Sequence, residues 1–169
     1  MYNKNVRILG IDPGTGIVGF GIIDVDSGNT KFVEAGVIRT PAHQEDSERL
    51  LTIYQDLKGI ISQYKPDVMA VEKLFFIRNI TTAMSVSQAR GVILLLGKQK
   101  KIQLNEYTPL QIKQAVVGYG RATKEQVIYM VEKLLNLPKK PHPDDVADAL
   151  AVAICTTHCC NNLLWRNKL

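Results

Sequence analysis

The chain has 169 residues, of which 46% are hydrophobic and 22% charged, and its formal net charge is +5. These values predict a single folded domain over residues 1–169 and argue against a disordered chain, while the positive charge favours an anionic partner such as nucleic acid. No run reaches the roughly 18 apolar residues of a membrane span, and the N-terminus shows no apolar signal segment, so we expect a cytoplasmic protein with no membrane partner.

Strand patterns come first along the chain, followed by alternating helices and strands. The first three strands are predicted at about 6–12, 18–25 and 31–39, and the short turn between the last two indicates an antiparallel meander. Helices are predicted at 47–64, 80–100, from Pro109, from Thr123 and at 144–159, with further strands at 68–72 and 102–107. This order predicts an α/β domain with a five-stranded mixed sheet flanked by helices.

One acidic residue ends the first predicted strand. Asp12 continues the face of Val6 and Ile8, which we expect to lie in the core. A carboxylate buried there costs free energy unless it is paired, protonated or bound to a cation. Asp12 is therefore the first candidate for a functional residue.

Further carboxylates lie at the ends of other predicted elements. Glu72 ends the fourth predicted strand, and three aspartates open the last helix. On that helix Asp145 and Asp148 lie about 60° apart, and Asp144 and Asp148 about 40° apart, so either pair presents two carboxylates on one face. Asp144 also suits a helix-capping role, and the spacing alone leaves the choice of pair open.

Several carboxylates converging on one place repel each other, and a divalent cation relieves that repulsion. A set of oxygen ligands suits magnesium or manganese rather than zinc. Such a site is typical of two-metal phosphoryl transfer, in which no protein nucleophile is needed. Cys155, His158 and Cys159 have a spacing that could form part of a zinc site, but no fourth ligand is evident nearby.

Two other segments carry features that suit DNA. Gly120 and Arg121 precede Lys124 at a predicted helix start, where free N–H groups and cations can hold a phosphate. Phe75 and Phe76 follow Glu72 in a predicted loop, and two adjacent aromatic side chains there cannot easily both face inward.

From about residue 7 to residue 158 the chain closely resembles the RuvC family of bacterial Holliday junction resolvases. The resemblance is carried by the order and spacing of ILGIDPG at 8–14, VEKLF at 71–75, SQARG at 87–91, VVGYG at 116–120 and DVADAL at 145–150. It implies a ribonuclease-H-like fold and a homodimer that cuts four-way DNA junctions by paired symmetric nicks in recombination and DNA repair. It also implies a branch-migration motor complex as partner.

The resemblance further implies roles for individual residues. The metal-binding catalytic carboxylates are Asp12, Glu72, Asp145 and Asp148, so the family pattern selects Asp145 rather than Asp144. They would hold two Mg²⁺ ions per site, for which Mn²⁺ can substitute. Lys113 and Lys124 would contact DNA near the scissile phosphate and support catalysis, and Phe75 would stack in the opened junction centre. The predicted DNA-binding residues are Phe75, Arg78, Lys113, Gly120, Arg121 and Lys124.

Three alternatives stand beside this interpretation. Actin-like and sugar-kinase-like phosphate-binding modules also carry an Asp-Gly-Thr turn in their first hairpin, but they need two such domains around a nucleotide. A junction-binding protein without activity would not need four carboxylates. A ribosomal-RNA-processing nuclease of the same fold is the third alternative.

Overall fold

The computed structural model describes residues 5–74 and 80–159. Its five strands form one sheet in the order β3-β2-β1-β4-β5. They are β1 (Val6–Asp12), β2 (Ile17–Asp26), β3 (Asn29–Arg39), β4 (Val68–Glu72) and β5 (Gln103–Tyr107). The first three strands are antiparallel neighbours, whereas β4 runs parallel to β1 and β5 parallel to β4. The predicted meander and mixed sheet are confirmed.

Five helices lie in the described part of the chain. They are α1 (Asp46–Tyr64), α2 (Ile80–Gln99), α3 (Pro109–Val117), α4 (Lys124–Leu134) and α5 (Asp144–Cys159). Both α3 and α4 begin with a capping box, in which Thr108 pairs with Gln111 and Thr123 with Gln126. None of the helices described combines the length and the apolar character that crossing a membrane requires.

The sheet separates two hydrophobic cores, because alternate residues of a strand point to opposite faces. On β1, Val6 and Ile8 pack with residues of α3, α4 and α5, while Leu9 and Ile11 pack with residues of α1 and α2. Cys155 is fully buried in the first core, where it packs as a small apolar side chain. The face on which Asp12 was predicted to lie is therefore the face covered by α5.

Glycines allow α5 to lie directly on the sheet. A Cβ atom at Gly10 would lie 2.2 Å from the carbonyl oxygen of Ala149, and one at Gly19 would lie 2.1 Å from that of Asp145. Real side chains do not make such contacts, so the main chain of α5 rests on that of β1 and β2. This contact sets the height of Asp145 and Asp148 above the sheet.

We expect Gly10→Ala to lower the free energy of unfolding by about 1–3 kcal/mol, as overpacking of a core does, and to slow the reaction by displacing α5. Gly59 is the matched control, because it lies inside α1 and a Cβ there meets nothing within 4 Å. Gly59→Ala should instead stabilise the protein by about 0.5–1 kcal/mol. Urea unfolding of both variants checks this, and equal stability of the two would contradict the tight contact.

Candidate active site

Asp12 and Glu72 lie side by side at one edge of the sheet. They are the last residues of β1 and β4, which are parallel neighbours with Ile11 opposite Val71. Because the carboxyl ends of parallel strands meet at the same edge, the register brings the two side chains close enough to affect each other's pKa. Two predicted site residues are thus adjacent.

The pKa values of these carboxyl groups are raised. Burial, followed by the negative charges of Glu72, Asp148 and Asp145, raises the pKa of Asp12 to about 8. Burial and the charge of Asp148 raise the pKa of Glu72 to about 7, against the opposing effect of Lys113 and Lys124. Burial also raises the pKa of Asp148. The nearby positive charges therefore do not balance the negative charges of Asp12, Glu72 and Asp148 at neutral pH.

Glu72 faces two neighbouring cavities. One has a volume of about 180 Å³, and its charged lining residues are Glu72, Lys113, Lys124 and Asp148. The other, of about 250 Å³, contains Asp12, Pro13 and Glu72 in its lining. Carboxylates and lysines thus line the first cavity together.

Lys124 pairs with two aspartates. Its Nζ atom lies 3.2 Å from Asp148 Oδ2 and 3.4 Å from Asp144 Oδ2. Burial lowers the pKa of Lys124, but the charges and hydrogen bonds of Asp148 and Asp144 outweigh that effect and raise it. Lys124 therefore remains charged and partly neutralises Asp148.

Asp145 has a different environment from the other three predicted carboxylates. Its side chain is partly exposed, as theirs are, but it lines neither of the two cavities. Its negative charge nevertheless raises the pKa of both Asp12 and Asp148. The charge of Asp145 thus interacts with the charges of Asp12 and Asp148, although its side chain lies outside the two cavities.

The donor set fits a hard divalent cation. Asp12 and Glu72 are mostly buried carboxyl groups whose raised pKa values reflect missing positive charge, and oxygen ligands suit magnesium or manganese. Within residues 5–74 and 80–159, however, no three His, Cys, Asp or Glu side chains already form a group that could hold an ion. A single ion held by three of these side chains would therefore require them to move closer together.

The remaining predicted residues either line neither cavity or fall outside the described residues. Gly120 and Arg121 lie in the connection between α3 and α4, where Arg121 is exposed and a Cβ at Gly120 would overlap Leu110. Phe75 and Arg78 fall outside the described residues.

Arg90 is a residue near the site to which sequence analysis gave no role. Its Nε atom donates a hydrogen bond of 3.4 Å to the main-chain carbonyl oxygen of Glu72, and its guanidinium pairs with Glu106 of β5. Arg90 therefore ties the end of β4 to β5. The sequence pattern that could have indicated a role for Arg90 is a cation next to the apolar residues Ala89 and Ile93. The structure shows that both of these residues are buried.

Comparisons with known proteins agree with this geometry. The family model described as "Crossover junction endodeoxyribonuclease RuvC" matches residues 8–156. A protein of that description from Heliobacterium modesticaldum is 56% identical over 158 residues, which cover 94% of this chain and 96% of the relative. One from Halothermothrix orenii is 55% identical over 148 residues, covering 88% and 90%.

A solved structure is also similar. The structure of Thermus thermophilus RuvC in complex with Holliday junction substrate has a TM-score of 0.84 and 32% sequence identity to this chain. The alignment covers 89% of this chain and 92% of that one. The similarity thus extends over most of both chains.

Proposed function

The chain belongs to the RuvC family of crossover junction endodeoxyribonucleases, with a ribonuclease-H-like fold, and from this membership we propose that it resolves four-way DNA junctions by paired symmetric nicks in recombination and repair. The observation that best supports the chemistry is the buried pair Asp12 and Glu72, which shares its cleft with Asp148 and two lysines. In two-metal hydrolysis of a phosphodiester, carboxylates can hold the metal ions, and lysines can offset the charge of the phosphate.

The residues have separate roles in this proposal. Asp12, Glu72, Asp145 and Asp148 hold two Mg²⁺ ions, or Mn²⁺ in their place. When bound, these ions supply an activated water and stabilise the charge on the leaving oxygen. Lys113 and Lys124 attract the scissile phosphate and hold it against the carboxylate group.

The partners follow from the proposed reaction. The Thermus thermophilus relative was solved with a Holliday junction substrate, which supports the same substrate here. Two symmetric nicks need two active sites, whereas the described residues form one, so we propose a homodimer. The motor complex rests on the family resemblance alone. The further proposed DNA contacts are Phe75, Arg78, Gly120 and Arg121. We also propose that the protein acts on its DNA substrate in the cytoplasm.

The test compares substrates at equal concentration. A labelled four-way junction, a linear duplex of matching sequence and a structured RNA are each incubated with the protein, with and without Mg²⁺. We expect paired nicks at symmetric positions in the junction alone, and only with the metal. Preferred cleavage of the RNA would favour the ribosomal-RNA-processing alternative, and equal cleavage of junction and duplex would contradict the proposal.

A further inference from the structure

Lys124 contacts two carboxylates that have different proposed roles in metal binding. Asp148 is one of the four proposed metal ligands, whereas Asp144 is not. The Nζ atom of Lys124 is nearly equidistant from them, at 3.2 Å from Asp148 and 3.4 Å from Asp144. One ammonium group thus occupies a place beside a carboxylate that the proposed cation also needs.

Lys124 and a bound divalent cation compete for Asp148. Magnesium binds carboxylate oxygens at about 2.0–2.1 Å, so an ion on Asp148 would lie within a few ångströms of an ammonium group that kept its present contact. Two positive charges at that distance in a partly buried cleft repel each other strongly. Binding of the ion therefore requires Lys124 to leave Asp148.

Asp144 is placed to keep Lys124 close when this happens. It is the first residue of α5, one turn before Asp148, and Lys124 is the first residue of α4. The side chains of Lys124 and Asp144 are each 49% exposed, so the lysine can turn without disturbing packed neighbours. Asp144 lines neither cavity, and its carboxylate already lies 3.4 Å from the ammonium group.

We propose that Lys124 exchanges partners when the site is loaded: it pairs with Asp148 and Asp144 in the metal-free protein, and with Asp144 alone once a divalent cation takes Asp148. Asp144 is then a positioning residue, which holds Lys124 beside the cleft for the phosphate. This inference rests on the proposed metal site. It gives a role to Asp144, which the family pattern does not include among the metal ligands, whereas it does include Asp145.

The exchange makes the effect of Asp144 on cation affinity depend on Lys124. Lys124→Met removes the competing charge, so the cation should bind more tightly. Asp144→Asn removes the negative charge of the second partner, so release of Lys124 from Asp148 becomes more costly and the cation should bind more weakly. When Lys124 is already absent, Asp144→Asn should matter little.

The experiment is a double-mutant cycle on Mn²⁺ affinity, measured without DNA by the electron paramagnetic resonance signal of free Mn²⁺. We expect Lys124→Met to tighten binding and Asp144→Asn to weaken it, each by about fivefold, a coupling typical of contacting residues. In the Lys124→Met background, Asp144→Asn should change affinity by less than about twofold. Asp144→Glu, which keeps a carboxylate, should restore affinity close to that of the unmodified protein.

The neighbouring acidic residue Glu125 provides the control for simple loss of negative charge, because it is exposed and follows Lys124 in α4. Glu125→Gln should have the same small effect with and without Lys124. An equally large effect of Asp144→Asn in both backgrounds would overturn the exchange while leaving the metal site intact. Absence of Mn²⁺ binding by the unmodified protein would overturn the metal site and the exchange together.

Discussion

Asp12→Asn is expected to abolish cleavage of a four-way junction while leaving junction binding close to that of the unmodified protein. The substitution keeps the shape of the side chain but removes the charge that would hold a cation. Metal ions contribute several kcal/mol of charge stabilisation to such reactions, and each 1.36 kcal/mol is a factor of ten, so we expect a loss of about 10³-fold or more. Asp148→Asn should behave in the same way.

Two measurements on one substrate check this prediction: single-turnover cleavage with Mg²⁺, and binding by gel shift with Ca²⁺ or EDTA. Asp26→Asn is the matched control, because Asp26 is an exposed residue at the opposite end of the sheet. It should cut at the rate of the unmodified protein. Cleavage by Asp12→Asn at a similar rate would refute the assignment of Asp12 to the reaction.

The second large effect is that Asp12→Asn should stabilise the metal-free protein at alkaline pH. An unfolded chain releases the proton of Asp12 near pH 4, whereas the folded protein holds it until about pH 8. The free energy of unfolding therefore falls as pH rises from 4 to 8, and the full penalty remains above pH 8. At 1.36 kcal/mol per unit, the rise from 3.8 to about 8 sets a ceiling of about 5–6 kcal/mol.

Water entering the cleft will reduce this penalty, so we expect a gain of about 1–3 kcal/mol for Asp12→Asn at pH 8 and none at pH 4. For a chain of this size that corresponds to a rise of about 2–12 °C in Tm. Thermal unfolding in EDTA from pH 4 to 9 measures it. Mg²⁺ should stabilise the unmodified protein more than the variant.

Asp24→Asn should show the opposite sign. The hydrogen bond and charge of Arg7 lower the pKa of Asp24, and the two side chains form contacts of 2.8 Å. Its carboxylate therefore stabilises the fold once the pH exceeds its unfolded pKa, and the variant should be less stable there. Equal pH profiles for Asp12→Asn and Asp24→Asn would contradict the difference in environment.

The elements were predictable from sequence because local signals and tertiary packing agree. Alternation along β1 correctly placed Val6 and Ile8 on one face in the core, and the predicted helix starts at Pro109 and Thr123 agree with α3 and α4 to within one residue. The position of Asp12 at the end of a strand was enough to nominate it. Strand parallelism then explains why Glu72 lies beside it.

Contacts between distant elements were not predictable in this way. Nothing local to Arg90 indicates that it binds the carbonyl oxygen of Glu72, and nothing local to Asp144 indicates its pairing with Lys124. Helical spacing left Asp144 and Asp145 equivalent, since both share a face with Asp148. Their environments differ only once α4 is packed against α5.

The direct seating of α5 on Gly10 and Gly19 has a consequence for how the site tolerates sequence change. At Gly10 and Gly19 the separation between the strand-end carboxylates and those of α5 is fixed by contact of main chain with main chain. Substitutions elsewhere in the two cores can therefore alter stability without altering the reach of the carboxylates. We therefore expect most substitutions in the interior to leave the positions of the active-site carboxylates unchanged.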